Sequence, residues 1–243
     1  MDEPSQLSGY FLVVPVLDEA EALPALLAEL RGLGLLARTL FVDNGSTDGS
    51  ADLIAAAGGE LLREPRRGYG FPCLTGAREA AARGARAVVF LEADDTDDPA
   101  QARFLAEPVL AGVADLVVGS RRLAVHGVSP GRMPLHQRLG NVWLAFNLHL
   151  FFGLRLSDDS PFRAVRIDLL DRLRLEERAY AFPTEMVVKA KLSGARIAVR
   201  ETAYRPRAGR SKIAGTWRGT LGAVRDISLC LMRLRLLGFR LAP

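Results

Sequence analysis

Val88-Val89-Phe90-Leu91-Glu92-Ala93-Asp94-Asp95-Thr96-Asp97-Asp98-Pro99 is the stretch on which the chain turns. Its four apolar residues read as a buried strand, after which the sequence becomes abruptly acidic. Ligands of open α/β sheets bind at the carboxyl ends of strands, so this reading puts the carboxylates at the ligand edge. Pro99 suits the first position of a helix, with Asp97 or Asp98 as its cap. Five acidic side chains within seven residues repel one another unless a cation sits among them. A hard divalent ion with oxygen ligands answers that need, and Mg²⁺ brings a phosphate with it. An Asp-rich helix start favoured by the helix dipole accounts for Asp97 and Asp98, but poorly for Glu92 and Asp94 on the strand side.

Outward from that stretch, strands and helices alternate. Tyr10 to Val14 reads as a strand ending at Pro15, and Leu23, Leu26, Leu27, Leu30 and Leu33 then share one helical face. Thr39 to Val42 is a second strand, followed by the polar turn Asp43-Asn44-Gly45-Ser46-Thr47-Asp48-Gly49-Ser50. A helix at 53–57, a strand at 60–62, a helix opened by Gly68 and Gly70, a helix at 104–110 and a strand at 116–118 continue the pattern. This alternation predicts a mostly parallel central sheet flanked by helices, with every polar turn converging on one crevice. Beyond 121 come a Gly/Pro-rich basic loop to Gln137, an apolar helix at 139–152 and a helix at 185–192 capped by Thr184. A strand then starts at Ile197, followed by a basic loop and a Leu-rich tail with Arg225, Arg233 and Arg235.

The 243 residues fit one α/β domain, 49% hydrophobic and 25% charged. A net charge of +4 with a pI near 9.4 suits an anionic partner such as a nucleotide diphosphate or an acidic membrane surface. No dense Lys/Arg block with interleaved aromatics points to nucleic acid. Cys73 and Cys230 lie far apart and imply neither a disulfide framework nor a zinc site, so a reducing, cytoplasmic setting is expected. His126, His136 and His149 lack ligand spacing. The N-terminus is polar, and the longest uncharged run, 139–154, is too short to span a bilayer. The apolar helix and the basic tail have two readings: ordinary core, or a peripheral surface on the inner face of the membrane.

Together the motifs Val14-Pro15-Val16-Leu17-Asp18-Glu19, Val42-Asp43-Asn44-Gly45-Ser46-Thr47-Asp48-Gly49-Ser50, Glu92-Ala93-Asp94, Gly119-Ser120-Arg121, Pro161-Phe162-Arg163-Ala164, Thr184-Glu185-Met186 and Arg210-Ser211-Lys212 resemble the family 2 glycosyltransferases. The likeness is to their polyprenyl-phosphate mannose and glucose synthase branch, over roughly residues 10 to 220. The resemblance implies a nucleotide-binding sheet of the GT-A type and transfer of a sugar from a UDP- or GDP-linked donor, usually with inversion. It also implies a single domain over 1–243, with a nucleotide-sugar half at about 10–120, an acceptor half with the basic loop at about 121–215, and a C-terminal amphipathic helix at about 216–243. Where the family holds Mg²⁺ or Mn²⁺ with an Asp-x-Asp motif, this chain has Glu92 and Asp94. Asp94 keeps its place. Glu92 departs from the pattern, its extra methylene leaving the metal or the ribose within reach.

By the same resemblance the nucleotide lies against Pro15, Leu17, Glu19 and Asp43, whose carboxylate accepts a base N–H. Asp18 stands where the family commonly has Asn, and Asn44 where it commonly has Asp. Gly68-Tyr69-Gly70 lacks the third glycine of a dinucleotide fingerprint; it reads as a close backbone approach to the nucleotide, with Arg67 beside it. Arg121, Arg207, Arg210, Ser211 and Lys212 are the expected phosphate and acceptor contacts on a loop that closes over the diphosphate. A hydroxyl acceptor needs a general base, whereas a phosphate acceptor is already ionised; Glu185 and Asp158 are the carboxylates offered for that role. The acceptor is a lipid-linked polyprenyl phosphate or a small hydroxylated metabolite. Two rivals stand beside this reading. A nucleotide-sugar binder without turnover is motivated by Glu92, and a sugar-phosphate nucleotidyltransferase is opposed by the absence of a Gly-rich loop after the first strand.

Overall fold

β1 (Tyr10–Val16) runs between β2 (Thr39–Asp43) and β4 (Ala87–Phe90), parallel to both, and β3 (Glu60–Arg63) extends the parallel block beyond β2. On the other side β6 (Arg163–Arg166) adds antiparallel to β4. β5 (Leu116–Leu123) follows antiparallel to β6, and β7 (Ile197–Ala203) lies parallel to β5. The sheet order is β3-β2-β1-β4-β6-β5-β7. Six strands therefore point one way, and β6 starts where they end. The computed structural model describes residues 9–123, 135–156, 158–203, 205 and 217–237.

β2 and β4 are buried at every position, as continuous apolar runs must be when both faces of a sheet are covered. Alternate side chains serve opposite layers. Leu12, Val14, Val89 and Leu91 pack under α1 (Leu23–Gly32) and α4 (Ala102–Leu110). Val13, Val88 and Phe90 pack under α3 (Gly70–Ala82) and α7 (Phe182–Leu192). α2 (Ser50–Ala56) completes the first layer through Ile54. The second layer also takes in α5 (Leu135–Phe152), α6 (Ile167–Leu173) and α8 (Trp217–Leu237). Gly76 lets α3 lie directly on β1, since a Cβ there would enter Val13.

The structure corrects several expectations. Pro15 lies inside β1 rather than ending it. Val13 accepts the last ladder bond on the β4 side, from Leu91 N–H, and Pro15, facing the same side beyond that bond, needs no donor. Leu33 has left the α1 face and is exposed, because the helix stops at Gly32. Asp98, not Asp97, is the cap before Pro99. Thr184 lies inside the first turn of α7, whose N-cap position is Ala181, and its hydroxyl donates to Asp159 instead. The antiparallel β6 and the short α6 were not anticipated.

Candidate active site at the carboxyl edge of the sheet

The turns that follow β1 and β2 are laced together. Asp18, with a left-handed φ of 48°, accepts the Thr47 N–H at 2.6 Å, and its own N–H donates to Ser46 Oγ. Glu19 N–H donates to Ser50 Oγ, and Ala20 N–H to Asp48. Asp43, buried, accepts the Ser46 N–H at 2.9 Å. Of the residues expected against a nucleotide, Leu17 and Glu19 thus lie on the turn after β1, and Pro15 and Asp43 stand at the ends of the two adjoining strands that lead into these turns.

Asn44 organises the third wall. Its amide nitrogen donates to the carbonyls of Glu64 and Arg66, and its oxygen accepts the Gly68 N–H. These bonds fix the segment after β3 and set the Arg67 guanidinium over Gly45. Hydrogen bonds from Arg66 and then Thr75 hold the Glu64 carboxyl down at about 2. Gly68 and Gly70 make a close approach of a different kind from the one expected. A Cβ on Gly68, at φ +133°, would strike the Arg178 carbonyl, and one on Gly70 would come within 2.7 Å of the Glu177 carbonyl. The neighbour that requires glycine is the chain's own α6–α7 connection.

After β4 the acidic side chains divide. Asp94, buried, accepts both the N–H and the hydroxyl of Thr96, at 3.1 and 2.6 Å. Asp97 is 2% exposed; its burial, followed by the charge of Asp94, pushes its carboxyl up to about 7, with Arg121 opposing. Asp95 and Asp98 instead meet Arg205, at 3.4 and 3.0 Å. Glu92 is half-buried at the strand end. Among the described residues, no three His, Cys, Asp or Glu side chains form a group able to hold a metal ion. Two carboxylates at a strand end, beside a third whose pKa burial and repulsion raise, match a hard cation whose shell substrate phosphates and waters complete. The donor set fits Mg²⁺ or Mn²⁺.

Across the crevice Arg121 grips Asp158, Nε to Oδ2 at 2.6 Å and NH2 to Oδ1 at 2.8 Å, with the Arg121 N–H adding a third bond. Burial would raise the Asp158 pKa, but the charge and hydrogen bonds of Arg121 override it and hold the carboxyl below its usual value. Such a carboxylate is a weak base. Beneath it the buried Arg163 donates to the Pro183 carbonyl and to Asp159, which also takes the Thr184 hydroxyl. Glu185 is fully buried: Oε2 accepts the N–H groups of Glu176 and Glu177, and Oε1 meets Lys189 at 2.8 Å and Arg233 at 3.1 Å. In this arrangement Glu185, the carboxylate offered as a base, anchors the α6–α7 connection to α7 and α8. Arg207, Arg210, Ser211, Lys212, His126 and most of the basic loop after Arg121 lie outside the described residues; His149 is exposed. Sequence reasoning missed Arg205 as a partner of the acidic loop, because its contacts come from residues more than a hundred positions away.

The family model for glycosyl transferase family 2 matches residues 11–174. An uncharacterised glycosyltransferase of Mycobacterium tuberculosis is 35% identical over 216 residues, covering 88% of this chain and 94% of its own length. The undecaprenyl-phosphate mannosyltransferase of Micrococcus luteus is 31% identical over 214 residues, covering 84% of this chain and 86% of its own. Among solved structures, glucosyl-3-phosphoglycerate synthase from Mycobacterium tuberculosis, in complex with Mn²⁺, UDP-glucose and phosphoglyceric acid, superposes with a TM-score of 0.69. The match covers 92% of this chain and 80% of that one at 21% identity, and so shares the fold. With that family match spanning most of the sheet and its carboxyl-edge turns, the chain belongs to glycosyl transferase family 2.

Proposed function

We propose that the chain transfers a sugar, with inversion, from a UDP- or GDP-linked donor to a polyprenyl phosphate. The observation that carries this reading is the convergence of the 17–20 and 43–50 turns, the Glu92–Asp94 strand end and Arg121 on one edge of a family 2 sheet. Asp43 and the turn of Glu19 receive the nucleotide. Glu92 and Asp94 would hold the divalent cation, which supplies Lewis-acid stabilisation of the departing diphosphate. Arg121, held in place by its ion pair with Asp158, stands on the acceptor side. An acceptor oxygen attacks the anomeric carbon on the face opposite the nucleotide, the carbon–oxygen bond to the diphosphate breaks, and the configuration inverts.

Two observations favour a phosphate acceptor on a lipid. Neither carboxylate offered as a base is poised for one: Asp158 is depressed by Arg121 and Glu185 is enclosed by four partners. A phosphate oxygen arrives ionised and needs neither. The outer face of α5 exposes Leu139, Val142, Phe146 and Leu150 without a charged residue between 139 and 152. α8 exposes Leu221, Leu229, Met232 and Leu236 alongside Arg225, Arg233 and Arg235. Such faces suit an acidic lipid surface. Among the described residues no helix is long and apolar enough to cross a membrane. The names of the Micrococcus luteus relative and of the polyprenol monophosphomannose synthase of Mycolicibacterium smegmatis support the same acceptor class.

The test is thermal unfolding with Mn²⁺ against UDP, GDP and their sugars, then transfer from the stabilising donor to undecaprenyl phosphate in detergent. A metal-dependent shift with one nucleotide followed by lipid-linked product is expected. Transfer only to water-soluble hydroxyl acceptors would refute the acceptor. Binding without any transfer, with Glu92→Asp restoring it, would select a nucleotide-sugar binder that has lost turnover.

A further inference from the structure

Arg205 lies just past the end of β7, where the chain enters the basic segment. Its guanidinium forks onto Glu29 of α1 at 2.7 and 2.9 Å, and reaches Asp98 at 3.0 Å and Asp95 at 3.4 Å. Its main-chain N–H donates to the Thr96 carbonyl at 2.9 Å. The same Thr96 gives its N–H and hydroxyl to Asp94. Glu29 is a firm anchor, because Leu26 and Leu30 on either side of it in α1 are fully buried. A continuous line of bonds thus runs from a packed helix through Arg205 and Thr96 to the Asp94 carboxylate.

We propose that Arg205 is a positioning residue for the cation site: it grips the acidic loop from outside, engages Asp95 and Asp98, and thereby fixes Asp94 at the strand end. The proposal rests on the reading of Asp94 and Glu92 as cation ligands. Geometry and charge make opposite forecasts here. Removing a positive charge beside a cation site strengthens cation binding by Coulomb's law. Loosening the groups that orient a ligand weakens it, typically by 10–100-fold.

Arg205→Lys separates the two, since it keeps the charge and loses the planar fork. Glu29→Asp keeps the charge and, one methylene shorter, weakens the same fork from its far side, on a helix that touches no expected ligand. The experiment is a Mn²⁺ titration of the full chain with saturating UDP or GDP, whichever stabilises the parent, read as the midpoint of the melting-temperature shift. Nucleotide binding in EDTA is measured alongside. Each variant is expected to raise the half-saturating Mn²⁺ concentration by roughly tenfold while metal-free nucleotide binding stays within about twofold of the parent. An unmoved midpoint with a lower metal-free melting temperature makes Arg205 only a structural staple and overturns the proposal. A lowered midpoint makes its charge the deciding property and overturns it as well. If Arg205→Lys does not fold, Glu29→Asp, which also keeps its charge, carries the same decision. A parent without any Mn²⁺ response takes down the cation-site reading and this proposal together. A responsive parent whose variants keep its midpoint takes down this proposal alone.

Discussion

Replacing Glu185 by alanine separates an anchor from a catalytic base. The side chain is fully buried and its carboxylate serves four donors: two backbone N–H groups at 2.7 and 2.8 Å, Lys189 at 2.8 Å and Arg233 at 3.1 Å. Lys189 is itself only 2% exposed. Breaking a buried ion pair by deleting one partner costs about 3–5 kcal/mol, because the other charge is left without compensation. The backbone bonds, at about 1.5–3 kcal/mol each for charged acceptors, overlap with that figure, since the same relaxation serves both losses. A net loss of about 4 kcal/mol is therefore expected, a large share of a stability that rarely exceeds about 15 kcal/mol. At about 2–4 °C per kcal/mol for a chain of this size, the melting temperature should fall by roughly 10 °C. Urea unfolding of the parent, Glu185→Ala, Lys189→Met and the double variant gives the coupling. The double variant should recover part of the loss, since a missing pair is tolerated better than half of one. The reasoning fails if Glu185→Ala keeps its stability within about 1 kcal/mol while transfer collapses, for then the carboxylate acts on the substrate.

Asp94→Asn should abolish the Mn²⁺-dependent stabilisation by nucleotide, about 2.7 kcal/mol at a hundred times the dissociation constant, because the amide oxygen still serves Thr96 but the charge is gone; a preserved shift would place the cation elsewhere. Asp115 is held at about 2, first by its hydrogen bond with Arg196, with burial opposing and Arg166 assisting. Because that lies below its ordinary 3.8, it adds stability above about pH 4 that drains away as the pH falls toward 2, at most about 2 kcal/mol. Chemical unfolding against pH should show this loss in the parent and not in Asp115→Asn. For the exposed faces of α5 and α8, co-sedimentation with phosphatidylglycerol vesicles should drop by at least about tenfold in Phe146→Glu/Met232→Glu, since each such side chain contributes about 1.5–3 kcal/mol when fully buried; equal sedimentation would remove the lipid surface from the account.

The N-terminal half was legible because its signals are local. Each apolar run is followed by a polar turn, and the acidic residues after Phe90 stand where a parallel sheet must present them. β6 was hidden because it begins and ends with arginine. Arg163 looks like a surface residue in sequence, yet it is 1% exposed and satisfied by carbonyls and Asp159. The position of Asp94 could be read from its own neighbours, whereas what steadies it comes from Glu29 and Arg205, 176 residues apart. Gly68 and Gly70 could be recognised as sites of close approach, but nothing local identifies the approaching chain as 177–178. Glu185 carried a motif but no trace of its four partners. Local chemistry reveals which residues are unusual, and only the fold says what they face.

Among the described strands the one reversed member, β6, also sets an order of assembly. β5 leaves the ribosome before β6, yet hydrogen-bonds to β4 nowhere; β6 must slot between them, and β7 can join only once β5 is seated. Until residues 163–166 are made, the β4 side of an otherwise complete four-strand block is an open edge, and such edges recruit other chains. Nascent or interrupted polypeptides ending before β6 should therefore be the aggregation-prone form, and their survival should depend on chaperones that shield that edge. Pulse-labelled hydrogen exchange during refolding should protect β1 and β2 ahead of β5 and β7. Simultaneous protection would mean that the reversed strand places no such gate on the pathway.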